Sequence, residues 1–180
     1  MKKGGGKTKG GNWEREICRT LTEWVTGKRE PVIFWRSSGS GAQFTQTKGR
    51  GSKMAADLVA VNKRGSFLTD RFCIEAKHYK AVSFKGLLTG RSGIIKWWGQ
   101  VEVDAGKVGR IPCLIFKINY YPPYLMMRIE TFAALENIVG RYEKYLIQWD
   151  YKVICLLHEF LDWCQPSDLE LLKRVEGKGR

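Results

Sequence analysis

The chain has 180 residues, enough for one domain with its own core and a small appendage. Its 43% hydrophobic and 27% charged residues suit a folded globular protein, and no apolar stretch is long and uncharged enough to span a bilayer, which excludes a membrane-embedded role. Thirty-one Lys plus Arg against 18 Asp plus Glu leave a net charge of +13, a balance that draws polyanions, nucleic acid foremost.

In chain order, residues 1–11 are glycine and lysine without an apolar pattern, and a disordered basic arm is expected there. Glycines follow the opening lysines where a secretory leader needs an apolar run, so a cytoplasmic location is expected. Asn12 can cap a helix in which Trp13, Ile17, Leu21, Trp24 and Val25 recur at helical spacing before Gly27. VIFWR at 32–36 is a β-rich run, and a long glycine-containing loop follows to about residue 55. DLVAV at 57–61 predicts a strand, NKRGS a turn, and FCIEAK at 72–77 a second strand paired with the first as a hairpin. IIKWWGQVEVDA at 94–105 is amphipathic at helical spacing, and PCLIFKIN at 112–119 predicts a buried strand. After Pro122-Pro123, LMMRI at 125–129 is apolar, helix signals return at 131–138, and a strand at 152–157 precedes short helices. Helix, strands, helix, strand and mixed elements in this order predict an α/β fold with a mixed central sheet flanked by helices. The expected parts are a basic arm at 1–11, a core at 12–129, and a C-terminal extension at 130–180 that packs on the core or forms a dimer interface.

The five cysteines, Cys18, Cys73, Cys113, Cys155 and Cys164, are odd in number and none are spaced for a zinc knuckle. Buried free thiols in a reducing compartment are expected.

The chemistry concentrates in FCIEAKHYK. Side chains alternate along a strand, so Glu75 and Lys77 share one face while Ile74 and Ala76 take the other. Such a pair is either a surface ion pair, contributing about 0 to 1 kcal/mol, or a catalytic pair. Asp57 opens the preceding strand, and two strands side by side would bring Asp57, Glu75 and Lys77 to one end of the sheet. Neighbouring carboxylates repel unless a cation lies between them, and oxygen ligands favour Mg²⁺ or Mn²⁺. Lys77 could then orient a water or stabilise a phosphorane-like transition state, and phosphodiester hydrolysis by a metal-activated water is the chemistry implied.

The ordered series GNWEREI, FWRSSGSG, ADLVAV, CIEAK, a helix and GRIPCLIFK resembles the PD-(D/E)xK nuclease superfamily, and within it the archaeal-type Holliday junction resolvases. A phage or bacterial relative fits the pattern, which covers residues 10–119. Ala56 stands where the pattern has proline, and the stretch from Arg36 to Asp57 is longer than in the short archaeal proteins. The resemblance implies a restriction-endonuclease-like core in which Asp57 and Glu75 hold metal, Glu14 adds a further carboxylate and Lys77 serves the attacking water. It also implies that Arg15 and Arg36 grip phosphates and that Ser40 lies near the scissile strand.

Lys48, Arg50 and Lys53 on the glycine-rich loop could clamp a backbone or sit on a solvated loop. Lys80 is a candidate DNA contact. Gln100, on the helix after the Lys77 strand, could orient the site as glutamines do in several superfamily branches, or be an exposed helical residue. Asp104 is expected to be a plain surface acid, His78 and His158 structural, and one of Trp97 and Trp98 exposed, since a single helix face should not bury both. Together these features predict a Mg²⁺-dependent (Mn²⁺ as substitute) endodeoxyribonuclease that resolves four-way junctions, leaving 5′-phosphate and 3′-hydroxyl. It would act as a homodimer on branched duplex DNA in recombination and repair. The alternatives are a nuclease of the same fold acting on linear, single-stranded or flap DNA, and a non-catalytic basic nucleic-acid-binding module.

Overall fold

The computed structural model describes residues 5–37 and 56–172, with side chains described from Lys9 onward. Helix α1 spans Gly5–Thr26, strand β1 Phe34–Arg36 and strand β2 Leu58–Ala60. A 3₁₀ turn at Lys63–Gly65 and helix α2, Ser66–Thr69, lead into β3, Phe72–Tyr79. Helices α3, Lys85–Leu88, and α4, Gly93–Val108, precede β4, Ile111–Ile118, and β5, Tyr124–Arg128. The rest comprises α5, Ile129–Val139, β6, Leu146–Trp149, β7, Lys152–Leu156, α6, Leu157–Trp163, and α7, Pro166–Leu171.

Five strands form a mixed sheet in the order β3-β4-β5-β7-β6, with β3 parallel to β4 and the other pairs antiparallel. The parallel pair needs a crossover, which α3 and α4 supply. β3 and β4 are near-continuous apolar runs because helices cover both faces of the sheet. One face carries Ile74, Ile115, Leu125 and Val153 and packs on Trp13, Ile17 and Leu21 of α1, together with Phe132, Leu135 and Phe160 from the later helices. The other carries Cys73, Leu114, Phe116, Met126 and Ile154 and packs on Ile94, Trp97, Trp98 and Val101 of α4. Each fully buried side chain of this size contributes about 1.5–3 kcal/mol relative to exposure.

Ser92 caps α4 by accepting a hydrogen bond from the Ile94 N–H, and the helix stops where Gly109 takes a left-handed φ of 63°. Trp24 ties the end of the chain to α1 by donating from Nε1 to the carbonyls of Leu161 (3.0 Å) and Cys164 (3.1 Å). All five cysteines are free and buried, as their spacing predicted. No helix among the described residues is long and apolar enough to cross a membrane.

The α/β class and the mixed sheet agree with expectation, but several elements differ. Helix α1 begins at Gly5 rather than at an Asn12 cap, so residues 5–11 extend it instead of forming an arm. Strand β2 hairpins with β1, not with β3: Phe34 faces Ala60 and Arg36 faces Leu58. β2 meets β3 only at its start, where the Asp57 N–H donates to the Ile74 carbonyl at 2.9 Å. Trp97 and Trp98 are both buried. Residues 100° apart can both sit in a wide apolar stripe, and α4 lies against α3 as well as the sheet. Residues 130–172 supply β7, which lies between β5 and β6 in the same sheet, so this segment packs as part of the core.

Candidate active site

β3 is an edge strand, and its free edge organises the site. The Ser37 N–H donates to the Asp57 carbonyl at 2.8 Å, and the Ser37 hydroxyl donates to the Ala56 carbonyl, fixing the entry to β2. Asp57 is thereby laid along β3, where its Oδ2 accepts a hydrogen bond from the Ala76 N–H at 2.9 Å. Its negative charge acts on the neighbouring Glu75 carboxyl. Glu75 faces the α4 side of the sheet and is only 5% exposed. Its Oε1 accepts from Lys77 Nζ, one strand period further on, and from Gln100 Nε2 of α4 at 3.2 Å.

From the other side of the edge comes Glu14 of α1. Its Oε2 pairs with Arg36 Nη1 of β1 at 3.6 Å. Gly11, one turn earlier, leaves room for that guanidinium: a Cβ there would come within 2.7 Å of Arg36 Nη1. Arg15 curls back instead, donating from Nη1 to Asn12 Oδ1 at 3.1 Å and to the Gly11 carbonyl at 3.4 Å.

Electrostatics follow from this crowding. Burial, and then the charge of Asp57, push the Glu75 carboxyl up to about 7, against the pull of Lys77. Burial and Asp57 also raise Glu14, while Arg36, Lys77 and Arg15 pull it back. Burial alone would favour a neutral Lys77, but its hydrogen bond to Glu75 and the charges of Glu75 and Asp57 outweigh that and raise its pKa. Lys77 is therefore an ammonium at neutral pH, unable to accept a proton from water. Two neighbouring carboxylates, Glu75 buried and Asp57 half-buried, offering oxygen only, form a donor set that suits a hard divalent cation. No group of three His, Cys, Asp or Glu among the described residues could hold an ion unaided. A cation on Asp57 and Glu75 would thus complete its shell with water and phosphate oxygens, as Mg²⁺ commonly does.

A family described as "Phage putative PDDEXK endonuclease" matches residues 5–168. The chain belongs to this endonuclease family. Among solved structures it is similar to Hjc of Archaeoglobus fulgidus, a Holliday junction resolvase from an archaeal hyperthermophile, at 13% identity, covering 92% of this chain and 98% of that one with a TM-score of 0.35. No curated protein matches.

The PDDEXK assignment agrees with the mixed sheet flanked by helices. The structure brings Glu14, Arg36, Asp57, Glu75, Lys77 and Gln100 together. Arg15 sits at the rim, and Lys80 is exposed just past the end of β3. Ser40, Lys48, Arg50 and Lys53 lie outside the described residues. Asp104 is half-buried and pairs with Lys107 at 2.6 Å. His78 turns to the α1 face beside Trp13, its ring 5.8 Å away, and His158 is exposed on α6. Gln100 left two readings open in the sequence, and the structure gives it features of both: it is exposed on α4, yet its Nε2 reaches Glu75. Asn119, which no motif marks, places its Oδ1 2.6 Å from Lys9 Nζ and 3.2 Å from His78 Nε2. Only its place after a buried strand marked it.

Proposed function

We propose that this PDDEXK endonuclease is a Mg²⁺-dependent, structure-selective enzyme that resolves four-way DNA junctions by paired phosphodiester hydrolysis. The observation that carries the proposal is the pairing of the buried Glu75 carboxylate with a half-buried Asp57 carboxylate beside it and Lys77 on the same strand face, along a sheet edge. Asp57 and Glu75 would hold the ion, which when bound would polarise the phosphate and sharpen a water as nucleophile.

This chain's residues do the remainder. Gln100 fixes the Glu75 carboxylate in rotation. Lys77, held charged, stabilises the extra negative charge that builds on phosphorus as water attacks in line. The proton leaves to solvent or to the departing 3′ oxygen, and the products are a 5′-phosphate and a 3′-hydroxyl. Glu14 holds Arg36 at the rim, where its guanidinium, with Arg15, meets the DNA backbone. Selectivity for the junction is supported by the ordered motifs of the sequence and by a net charge of +13 that serves shape and backbone recognition rather than base reading. A junction presents two symmetric strands, so a homodimer with paired sites is the form proposed.

The test is cleavage of a mobile four-way junction with Mg²⁺ or Mn²⁺, mapped on all four strands, beside flap and linear duplex of equal length. Paired symmetric cuts in the junction, abolished by Glu75→Ala with binding kept, are expected. Preferential cutting of linear duplex or flaps would remove the junction claim, and absence of any metal-dependent cutting would leave a DNA-binding module.

A further inference from the structure

We infer that Tyr79, Tyr120 and Tyr121 form a stacking platform for unpaired bases, so that the enzyme engages DNA where bases leave the double helix. This deepens the nuclease proposal and rests on it.

The platform lies at the end of the strand that carries the carboxylates. Tyr79 is on the same face of β3 as Glu75 and Lys77, two residues beyond the lysine, or about 7 Å along the strand. The Tyr79 phenol is near enough to act on the Lys77 charge. Its ring is half exposed, at 50%, and backed by Trp97, with ring centres 4.6 Å apart, so the exposed ring is held in place. Directly beyond it the Asn119 N–H donates to the Tyr79 carbonyl at 3.1 Å, joining the turn after β4 to the end of β3. That turn presents Tyr120 at 101% exposure and Tyr121 at 59%.

Tyr120 has a cost that the fold does not offset. Its φ is 67°, in the left-handed region that a bulky residue occupies unfavourably and that glycine or asparagine would occupy more readily. Being fully exposed, its ring buries nothing in the protein, and a large exposed aromatic on a strained backbone points to an external partner. Charge selects which. Lys80 follows Tyr79 directly, while Lys9, anchored to Asn119 at 2.6 Å, and Lys117, paired with Glu16 at 3.4 Å, approach the turn from the α1 face. Tyrosine rings among lysines suit a base with its phosphate, because any base offers a face to stack and the lysines meet the backbone. A strand passing the Asp57–Glu75 pair and continuing along β3 would reach the platform about two base steps later.

The test uses the full-length protein in metal-free buffer, so that binding is read apart from cutting. Two DNAs of equal length carry 2-aminopurine, one at an unpaired position and one within matched duplex. Wild type is expected to change the emission of the unpaired probe and to prefer that DNA by about tenfold in Kd. Tyr120→Asn with Tyr121→Ser should bring this preference close to one, whereas Tyr120→Phe with Tyr121→Phe should keep it. Thermal unfolding of the variants no lower than that of wild type ties the loss to the rings. An undiminished preference in the Asn/Ser variant, or none in wild type, overturns the inference. So does a change in oligomeric state on sedimentation, which would assign the patch to a second copy. If wild type shows the preference but never cuts DNA with Mg²⁺, the nuclease proposal fails while the base-stacking surface stands.

Discussion

Glu75 is nearly sealed from solvent, and its carboxyl is pushed from 4.5 to about 7, so the proposed metal-holding role would require it to lose a proton. A carboxyl raised in the folded state contributes stability that is full below the unfolded value and is lost as pH rises through the folded one. The metal-free protein should therefore weaken in urea between about pH 5 and about pH 8 more steeply than Glu75→Gln, and added Mg²⁺ should restore wild type at the alkaline end. Parallel pH profiles of the two proteins would show that Glu75 carries no such burden. Gln100 is a positioning residue: Gln100→Ala should weaken both metal affinity and turnover by about tenfold, with Gln100→Glu no rescue because it adds a third negative charge. Equal metal affinity in Gln100→Ala, measured by calorimetry, would reduce the contact to a structural one. At this scale the site was largely legible: the strand period alone placed Glu75 and Lys77 together and Ile74 opposite. What the period could not convey was that Lys77 keeps its proton, since that depends on two carboxylates arriving from separate strands.

Elements were readable where one environment dominates. β3, β4 and α4 declare themselves because both faces of the sheet are buried and the patterns are unbroken. Pairing was harder to read, because the partner of β2 lies across the segment between Arg36 and Asp57 and local sequence favours the nearer strand. Edge strand β6 passed unnoticed, since Leu146 and Ile147 are both exposed and give no alternation to detect. The start of α1 was missed because its first turns hold glycine and lysine without an apolar face. The β1–β2 hairpin rests on the 3₁₀ turn at Gly65, where an added Cβ would come within 2.7 Å of both Ile33 and Phe34, themselves fully buried. Gly65→Ala should accordingly destabilise the protein by about 1–3 kcal/mol, lowering Tm by about 2–4 °C per kcal/mol. An unchanged Tm would mean that the hairpin shifts freely on the sheet. Because Arg36 and Asp57 bracket this hairpin, cleavage should fall along with stability.

For the molecule as a whole, charge governs encounter. With +13 net, the logarithm of DNA affinity should fall linearly with the logarithm of salt concentration. Arg36→Ala should lower that slope by about one, since it removes one phosphate contact. Its Glu14 partner would then lose a counter-ion, so cutting should suffer more than binding. An unchanged slope would place Arg36 among the groups that only shape Glu14. The open flank of β3 carries one further consequence. Asp57 occupies a main-chain N–H that would otherwise be offered to any passing strand, so the acid proposed to hold the metal also corks a growing sheet. Asp57→Ala would uncork it, making that inactive variant prone to polymerise through its flank, whereas Glu75→Gln would be equally silent and remain dispersed.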